Sequence, residues 1–479
     1  MKKIIRFAIP FFAAFLMLGM MFYLAAASNR AAAAPSSFMP YWVIVVTTLE
    51  DELNSDSDCS LREAIEAAND NTIVDACVAG DAVITDTITF AVSGMVSVTS
   101  QLSVTAGGPL LIVGGDAITI SGGNSVRVLY VGNGALVALE NITVADGFSE
   151  NIRGGGGIQN EGTLTIHASN LTGNHDDSMW GGGAISNWGA LDIIASTFFS
   201  NSADYDGGAI NIFDTSSGTV TIANSIFSGN HASSGGAIMN NANMNIANST
   251  FSGNNATYGG AIFAYWNSML TITASTFSAN GATTYGGGIH NNSTLSVINS
   301  NFSDNNADEG GGLYNSIWDY GASRIMQSTV TITNSTFSGN SAVTGGGLYV
   351  DFGTVTPYNT ILADSPSGGD CYGTIIDGGH NLDSDDTCGL DPANGSLPNT
   401  DPLLGPLQDN GGSTWTHALQ LGSPAIDAGD NAYCPTTDQR GVIRPIDGNG
   451  DGIVVCDIGS FELEEPLYPL FLPLVVKNS

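Results

Sequence analysis

The sequence predicts an all-β chain whose bulk is a β-helix, a solenoid of short stacked strands. Three observations carry this. A glycine mark, Gly-Gly-(Ala/Gly)-(Ile/Leu), ends at Ile158, Ile185, Ile210, Ile238, Ile262, Ile289, Leu313 and Leu348. The gaps between these ends are 24 to 35 residues, a period that belongs to repeat architectures. A second mark runs in phase with it: Phe198, Phe227, Phe251, Phe277, Phe302 and Phe337 each have Asn three residues on, with Leu171 and Asn174 as the first variant. Between the marks lie alternating, β-branched runs such as Leu164-Thr-Ile166, Val220-Thr-Ile222 and Leu270-Thr-Ile272, separated by Gly, Asn and Ser. These read as strands and turns. Residues 155–365 show no helical period, which excludes helix-pair repeats.

Stacking explains each mark. Coils a strand spacing apart, ~4.8 Å, bring equal positions into ladders. The Phe residues form an aromatic ladder inside and the Ile/Leu residues an aliphatic one. Asn can stack its amides and tolerate a left-handed turn, and the Gly pairs allow a tight bend. These residues are structural. Weaker strand-like runs at 88–90, 96–98, 110–113, 117–120 and 136–144 extend the solenoid to residues 84–365, about ten coils. Residues 314–330 read as an extra loop with Trp318 and Tyr320.

The ends need other elements, because open coils expose strand edges. Lys2, Lys3 and Arg6 precede an apolar run, and Ala25-Ala26-Ala27 offers a cleavage site. Residues 1–27 are therefore expected to be an export signal, with a second candidate site near Ala33. No other stretch is long enough for an internal transmembrane helix. Residues 43–83 form an N-terminal cap. There Ser60-Leu61-Arg62-Glu63 is a capping box, opening a short helix with Leu61, Ala64, Ile65 and Ala68 on one face. Residues 366–462 make a C-terminal region and 463–479 an apolar tail broken by Pro. Six cysteines fit an oxidising compartment. Fifteen pairings are open; sequence nearness favours Cys59–Cys77, Cys371–Cys388 and Cys434–Cys456 as staples at the two ends.

Charge narrows the function. Lys+Arg number 11 and Asp+Glu 45, a net charge of −34, which repels phosphate backbones and excludes a nucleic-acid partner. From 155 to 365 there is no Lys and a single Arg, Arg324, against 13 acids. A polysaccharide lyase needs a base and cations to hold uronates, so an anionic polymer is disfavoured. No Ser-His-Asp or Cys-His arrangement is visible.

Several segments resemble known families. The paired Gly-Gly-Ala-Ile and Phe-x-x-Asn marks are similar to the repeat of the polymorphic outer membrane proteins. Cys59-Ser-Leu-Arg-Glu-Ala-Ile65 resembles the CSLREA domain of secreted bacterial β-helix proteins. Gly379-His-Asn-Leu382, Leu404 to Gly412, Ser423 to Gly429, Asp438-Gln-Arg-Gly441 and Cys456 to Phe461 resemble their choice-of-anchor C-terminal region. The likeness covers residues 43–462. It implies a right-handed parallel β-helix of pectate-lyase-like shape, exported to the cell surface. Polymorphic members are adhesins with a C-terminal outer-membrane barrel; no run of barrel strands follows the repeats here, so no such barrel is expected. The apolar tail resembles terminal sorting tails; a last strand on the cap is the other reading.

Two acidic groups stand out. Asp177 and Asp204 fall three residues after their ladder Asn in adjacent coils, with Asp176, Asp206, Trp180 and Tyr205 beside them. In register they lie about 5 Å apart, which suits a retaining glycosidase pair, a calcium site, a sugar platform, or simply solvated loop acids. Asp447-Gly-Asn449-Gly-Asp451-Gly452 is a calcium-type loop without the closing Glu of an EF-hand; Asp457 is its candidate completion, and a glycine-rich turn the plain alternative. His175 and His231 share a coil position two coils apart and cannot share one metal ion. The expectation is a monomeric, exported or cell-surface, adhesin-like protein that offers a long face to a glycan or partner surface, with calcium as its candidate ion. A glycan-active enzyme, a glycosidase sooner than a lyase, is the alternative.

Overall fold

The computed structural model describes residues 42–464 except 106, 151–152, 214–218, 267 and 318–327. The export signal, the apolar tail, and Trp318, Tyr320 and Arg324 lie outside the described residues. The rest stacks into a parallel β-solenoid with three strands per coil. Among the described residues the first sheet has 12 strands, from Trp42–Val46 to Thr354–Tyr358. The second also has 12, from Gly94–Ser97 to Leu382–Asp383, and the third has 11, from Leu102–Val104 to Cys371–Tyr372. Stacking therefore begins before residue 84 and continues beyond 365. Trp42–Val46 pairs with Asp86–Phe90, and Cys371–Tyr372 and Leu382–Asp383 still pair in parallel with the coil before them. The expected extra loop is also shorter: Tyr314 belongs to the strand Leu313–Asn315 and Val330 to Thr329–Thr333.

The ladders form as the repeat implies. Phe198, Phe227, Phe251, Phe277, Phe302 and Phe337 are fully buried. Their rings stack at 4.6, 4.8, 4.7, 4.7 and 4.4 Å. The Asn ladder is buried too. Asn254 Nδ2 donates to Asn280 Oδ1 at 2.9 Å and to the Phe227 carbonyl at 2.9 Å, and each neighbour repeats the pattern. One detail of the Asn expectation is corrected. The left-handed conformation falls on the residue before the ladder Asn, such as Ser200, Gly229, Gly253 and Ala279. The Asn itself satisfies backbone groups inside the coil. In the glycine mark the first Gly carries the bend, with φ +61° at Gly207. The second lets coils touch: a Cβ on Gly208 would sit 2.1 Å from the Gly236 carbonyl oxygen.

The helix Leu61–Asp70 closes the N-terminal end. Ser60 and Glu63 form the capping box, and Asn71 ends the helix with φ 54°. Leu61, Ala64, Ile65, Ala67 and Ala68 are buried against the first coil. Asn69 fixes the helix by donating to the Ser103 carbonyl at 2.9 Å and accepting from the Thr105 N–H at 2.8 Å.

The C-terminal region does more than cap the far end: it folds back along the outside of the second sheet. Thr276, Asn299, Asn301, Ser303, Thr336 and Asn359, from successive coils, hydrogen-bond to Trp415, Thr437, Gln439, His417, Ser460 and Asp430. A small core of Ile361, Leu382, Leu419, Ala425, Ile458 and Phe461 lies beneath. Among the described residues no helix is long and apolar enough to cross a membrane.

Candidate functional site

The outer face of the third sheet carries the chemistry that the fold leaves over. In each of its strands the first residue points inward and the second outward, since side chains alternate. Register therefore lines up a floor of Asn211, Met239, Phe263, His290, Tyr314, Tyr349 and Tyr372. One wall is the residue before each Gly pair: Asp206, Ser234, Tyr258, Tyr285 and Glu309 bridge coil to coil. The other wall is the residue after each strand, among them Trp188, Phe213, Tyr265 and Asp351, held by backbone bonds to the neighbouring coil. The result is a groove along the coils.

Its upstream part is a cleft of about 280 Å³ lined by Trp180, Asp206, Phe213, Met239, Phe263 and Tyr265 among others. Trp188 and Phe213 stack at 3.7 Å beside it, with the Arg153 guanidinium 5.3 Å over Trp188. Burial pushes the Asp206 carboxyl up to about 6, against a bond to Ser234. The floor then reaches His290, 1% exposed, with the Phe263 ring at 4.6 Å and the Tyr314 ring at 4.9 Å. Desolvation holds this imidazole down at about 3, so it is neutral. Its Nε2 faces Ser316 Oγ at 3.3 Å, and its Nδ1 has no hydrogen-bond partner.

Downstream, phenols dominate. Tyr285 stacks on Tyr314 at 4.5 Å, Tyr314 on Tyr349 at 5.1 Å and Tyr349 on Tyr372 at 4.8 Å. The rings cover one another's faces; Tyr314 is buried among them, and Tyr285, Tyr349 and Tyr372 keep exposed edges. Tyr314 OH donates to Asp351 Oδ2 at 3.4 Å. Tyr349 hydrogen-bonds Glu309, whose carboxyl is raised first by burial and then by Asp351. Burial and the same acids push Tyr349 up to about 12 and raise Tyr314 further, so both phenols stay protonated.

The expected acidic corner is divided. Asp177 and Asp204 are in register on adjacent coils and exposed, and Tyr205 is exposed with them. Asp204 lies 3.9 Å from His175. Asp206 and Trp180 instead belong to the aromatic cleft. Asp176 turns inward and is fully buried. Burial lifts its carboxyl to about 6, Ser178 donates to it, and Arg127 opposes the shift. His175 and His231 are two coils apart, separated by Ser202.

The loop of Asp447, Asn449 and Asp451 is closed by its own amides. Asp447 accepts from the N–H groups of Gly450 and Gly452 at 2.7 and 2.9 Å, and Asn449 from that of Asp451 at 2.8 Å. Asp457 is fully buried elsewhere in the region, accepting from the N–H groups of Asp427 and Leu463. The carboxylate that meets the loop is Asp427, which accepts from Gly448 and Asn449. Cys59–Cys77 and Cys371–Cys388 are bonded. The third expected bridge is not formed: Cys434 and Cys456 are free thiols hydrogen-bonded to each other.

Residues 183–362 match the family model described as a right handed beta helix region. No curated protein and no solved structure matches the chain. The matched span holds the groove from Trp188 to Asp351, so the groove is a surface of the right-handed β-helix itself.

Of the residues along the groove, the sequence singles out Asp206 and Trp180 and passes over Glu309, Asp351, His290 and the tyrosines. The signal was present. Asp206, Tyr258, Tyr285 and Glu309 each stand immediately before a Gly pair, and Phe263, His290, Tyr314 and Tyr349 immediately after its Ile or Leu. Reading the marks alone passed over the variable positions between them, and assigning Tyr314 to a loop removed it from its row.

Proposed function

We propose that this chain is an exported, adhesin-like β-helix protein that binds a glycan in the third-sheet groove and does no chemistry on it. The observation that carries the reading is the row of aromatic and carboxylate side chains from Asp206 to Asp351, which the coil stacking does not need. Concave aromatic surfaces with a few placed polar groups are the usual ligand sites. Export is supported by the basic-then-apolar start and by the bonded cysteine pairs. The resemblance of the Cys59-Ser-Leu-Arg-Glu segment and of the C-terminal motifs to secreted surface proteins points the same way. The test is a glycan array probed with residues 28–479 and with a Tyr349→Ala, Tyr285→Ala variant. Binding to at least one glycan, lost in the variant, is expected; a blank array would sink the reading.

A glycan-active enzyme is the second reading, favoured by Asp206, whose raised carboxyl in an aromatic cleft suits a general acid. New reducing ends from the array's best ligand, abolished by Asp206→Asn, would decide for it. Calcium at Asp447, Asn449 and Asp451, with Asp427 in the place expected of Asp457, is the companion proposal. An unchanged melting curve between chelator and millimolar calcium would remove it.

A further inference from the structure

The downstream half of the groove has a charge pattern that the glycan reading alone does not use. Glu309 stands on one wall and Asp351 on the other, flanking the Tyr314–Tyr349 step of 5.1 Å. Tyr314 OH donates to Asp351 at 3.4 Å and Tyr349 hydrogen-bonds Glu309, so both acids are tied to the same pair of rings; burial, and after it Asp351, raises the Glu309 carboxyl. Among the described residues neither is ion-paired, whereas Arg62 pairs with Asp51, Arg440 with Asp438 and Arg444 with Glu462. Two carboxylates with no cationic partner among the described residues, each met by one phenol, leave acceptor capacity and negative charge across an aromatic floor.

Three kinds of sugar can be weighed against that surface. A uronate or sulfated sugar would meet like charge in a partly desolvated place, which is repulsive. A neutral or N-acetylated sugar could hydrogen-bond to the phenols, but it would bury Glu309 and Asp351 without neutralising them. An ammonium carries three donors and one positive charge. It can donate to both carboxylates and to a phenol oxygen, and it relieves the repulsion between the acids. We propose that the groove between Tyr285 and Tyr349 selects an amine-bearing sugar, its ammonium held by Glu309 and Asp351. This rests on the glycan-binding reading above and names the ligand class for the same face. The stacked phenols set the register: their hydroxyl edges recur with each coil, as a polymer of repeating sugars requires. A basic peptide shares the charge but has no such repeat of hydroxyls to meet.

The experiment is titration calorimetry with a β-1,4-linked glucosamine hexamer and its fully N-acetylated counterpart, at low and at physiological salt. The unmodified protein should bind the amino hexamer on the order of tenfold more tightly, with the advantage shrinking as salt rises. Glu309→Gln and Asp351→Asn, which keep the side-chain shape, should each remove most of that advantage, bringing the affinities for the two hexamers to within about twofold of each other. Equal affinities in the unmodified protein would overturn the amine selection while the glycan reading stands. Binding of neither hexamer, together with a blank array, would overturn both. Displacement of the amino hexamer by a lysine hexapeptide at equal concentration would overturn the sugar assignment in favour of a basic peptide.

Discussion

The second and third sheets belong to the same coils and differ in what covers them. Where the C-terminal region covers the second sheet, outward residues such as Thr276, Asn301, Ser303 and Thr336 are small and polar, and all four are buried. Upstream, where that region does not reach, the equivalent Thr250 and Ser252 are only half-buried. The outward residues of the third sheet are Phe263, His290, Tyr314 and Tyr349, walled by Tyr258, Tyr285 and two carboxylates. A face meant for the chain's own backbone uses short side chains that reach carbonyls directly. The third sheet carries large rings instead: Phe263, His290 and Tyr314 bury one another, Tyr349 is half-buried, and the two carboxylates accept from phenols, so this face covers itself without a strap and leaves the groove that we propose as the binding face.

The comparison can be broken or sharpened by substitution. Phe251→Ala, in the interior ladder, should cost about 3–5 kcal/mol, read as a lowered midpoint of urea unfolding. Gln439 is the central contact on the second sheet. Its Nε2 donates to Thr276 Oγ1 and Thr414 Oγ1 at 2.9 Å each, and its Oε1 accepts from Asn301. Gln439→Ala leaves these groups unsatisfied and should cost about 2–4 kcal/mol. Amide exchange should rise in Asn301–Ser303 and stay unchanged in Ile289–Asn291; equal rises in both would mean that the two faces are not independent.

Acidity distinguishes them next. Asp206 in the groove and Asp457 under the C-terminal region have carboxyls raised from 3.8 to about 6 and about 7. The folded protein therefore binds protons more tightly than the unfolded chain between roughly pH 4 and pH 7, so stability should fall as pH rises through that window. Asp206→Asn should remove the part that ends near pH 6, of the order of 2 kcal/mol, seen as a flatter plot of melting temperature against pH. The smallest effect is expected at Tyr349→Phe. Stability should stay within about 0.5 kcal/mol while glycan affinity falls. A large loss of stability would make the phenol row part of the fold.

The interior was legible in the sequence because stacking imposes one requirement on every coil. Phe251 and Asn254 have the same neighbours as Phe277 and Asn280, so the marks repeat and can be counted. The groove obeys no such requirement. His290 aligns with Tyr314 and Phe263, three different residues, and nothing in their identity announces a common row. Asp457 and Asp427 show a different limit. The calcium-like spacing was visible, yet which acid meets the loop depends on how residues 420–464 cross the second sheet, and an irregular chain carries no period to read. The left-handed turn was misplaced by one residue for a similar reason: Asn tolerates that conformation, but a buried amide ladder uses it better in another way.

In most solenoids each coil touches only the next, and the structure behaves as a one-dimensional stack. A load applied along the axis could then peel coils away singly. Here the strap formed by residues 414–460 joins Thr276, Asn301, Thr336 and Asn359, positions in coils that do not all touch one another. Peeling the last coil must also strip the strap from the three before it, so these coils should yield together at a higher force. The strapped coils are therefore the part of the solenoid best suited to bear tension.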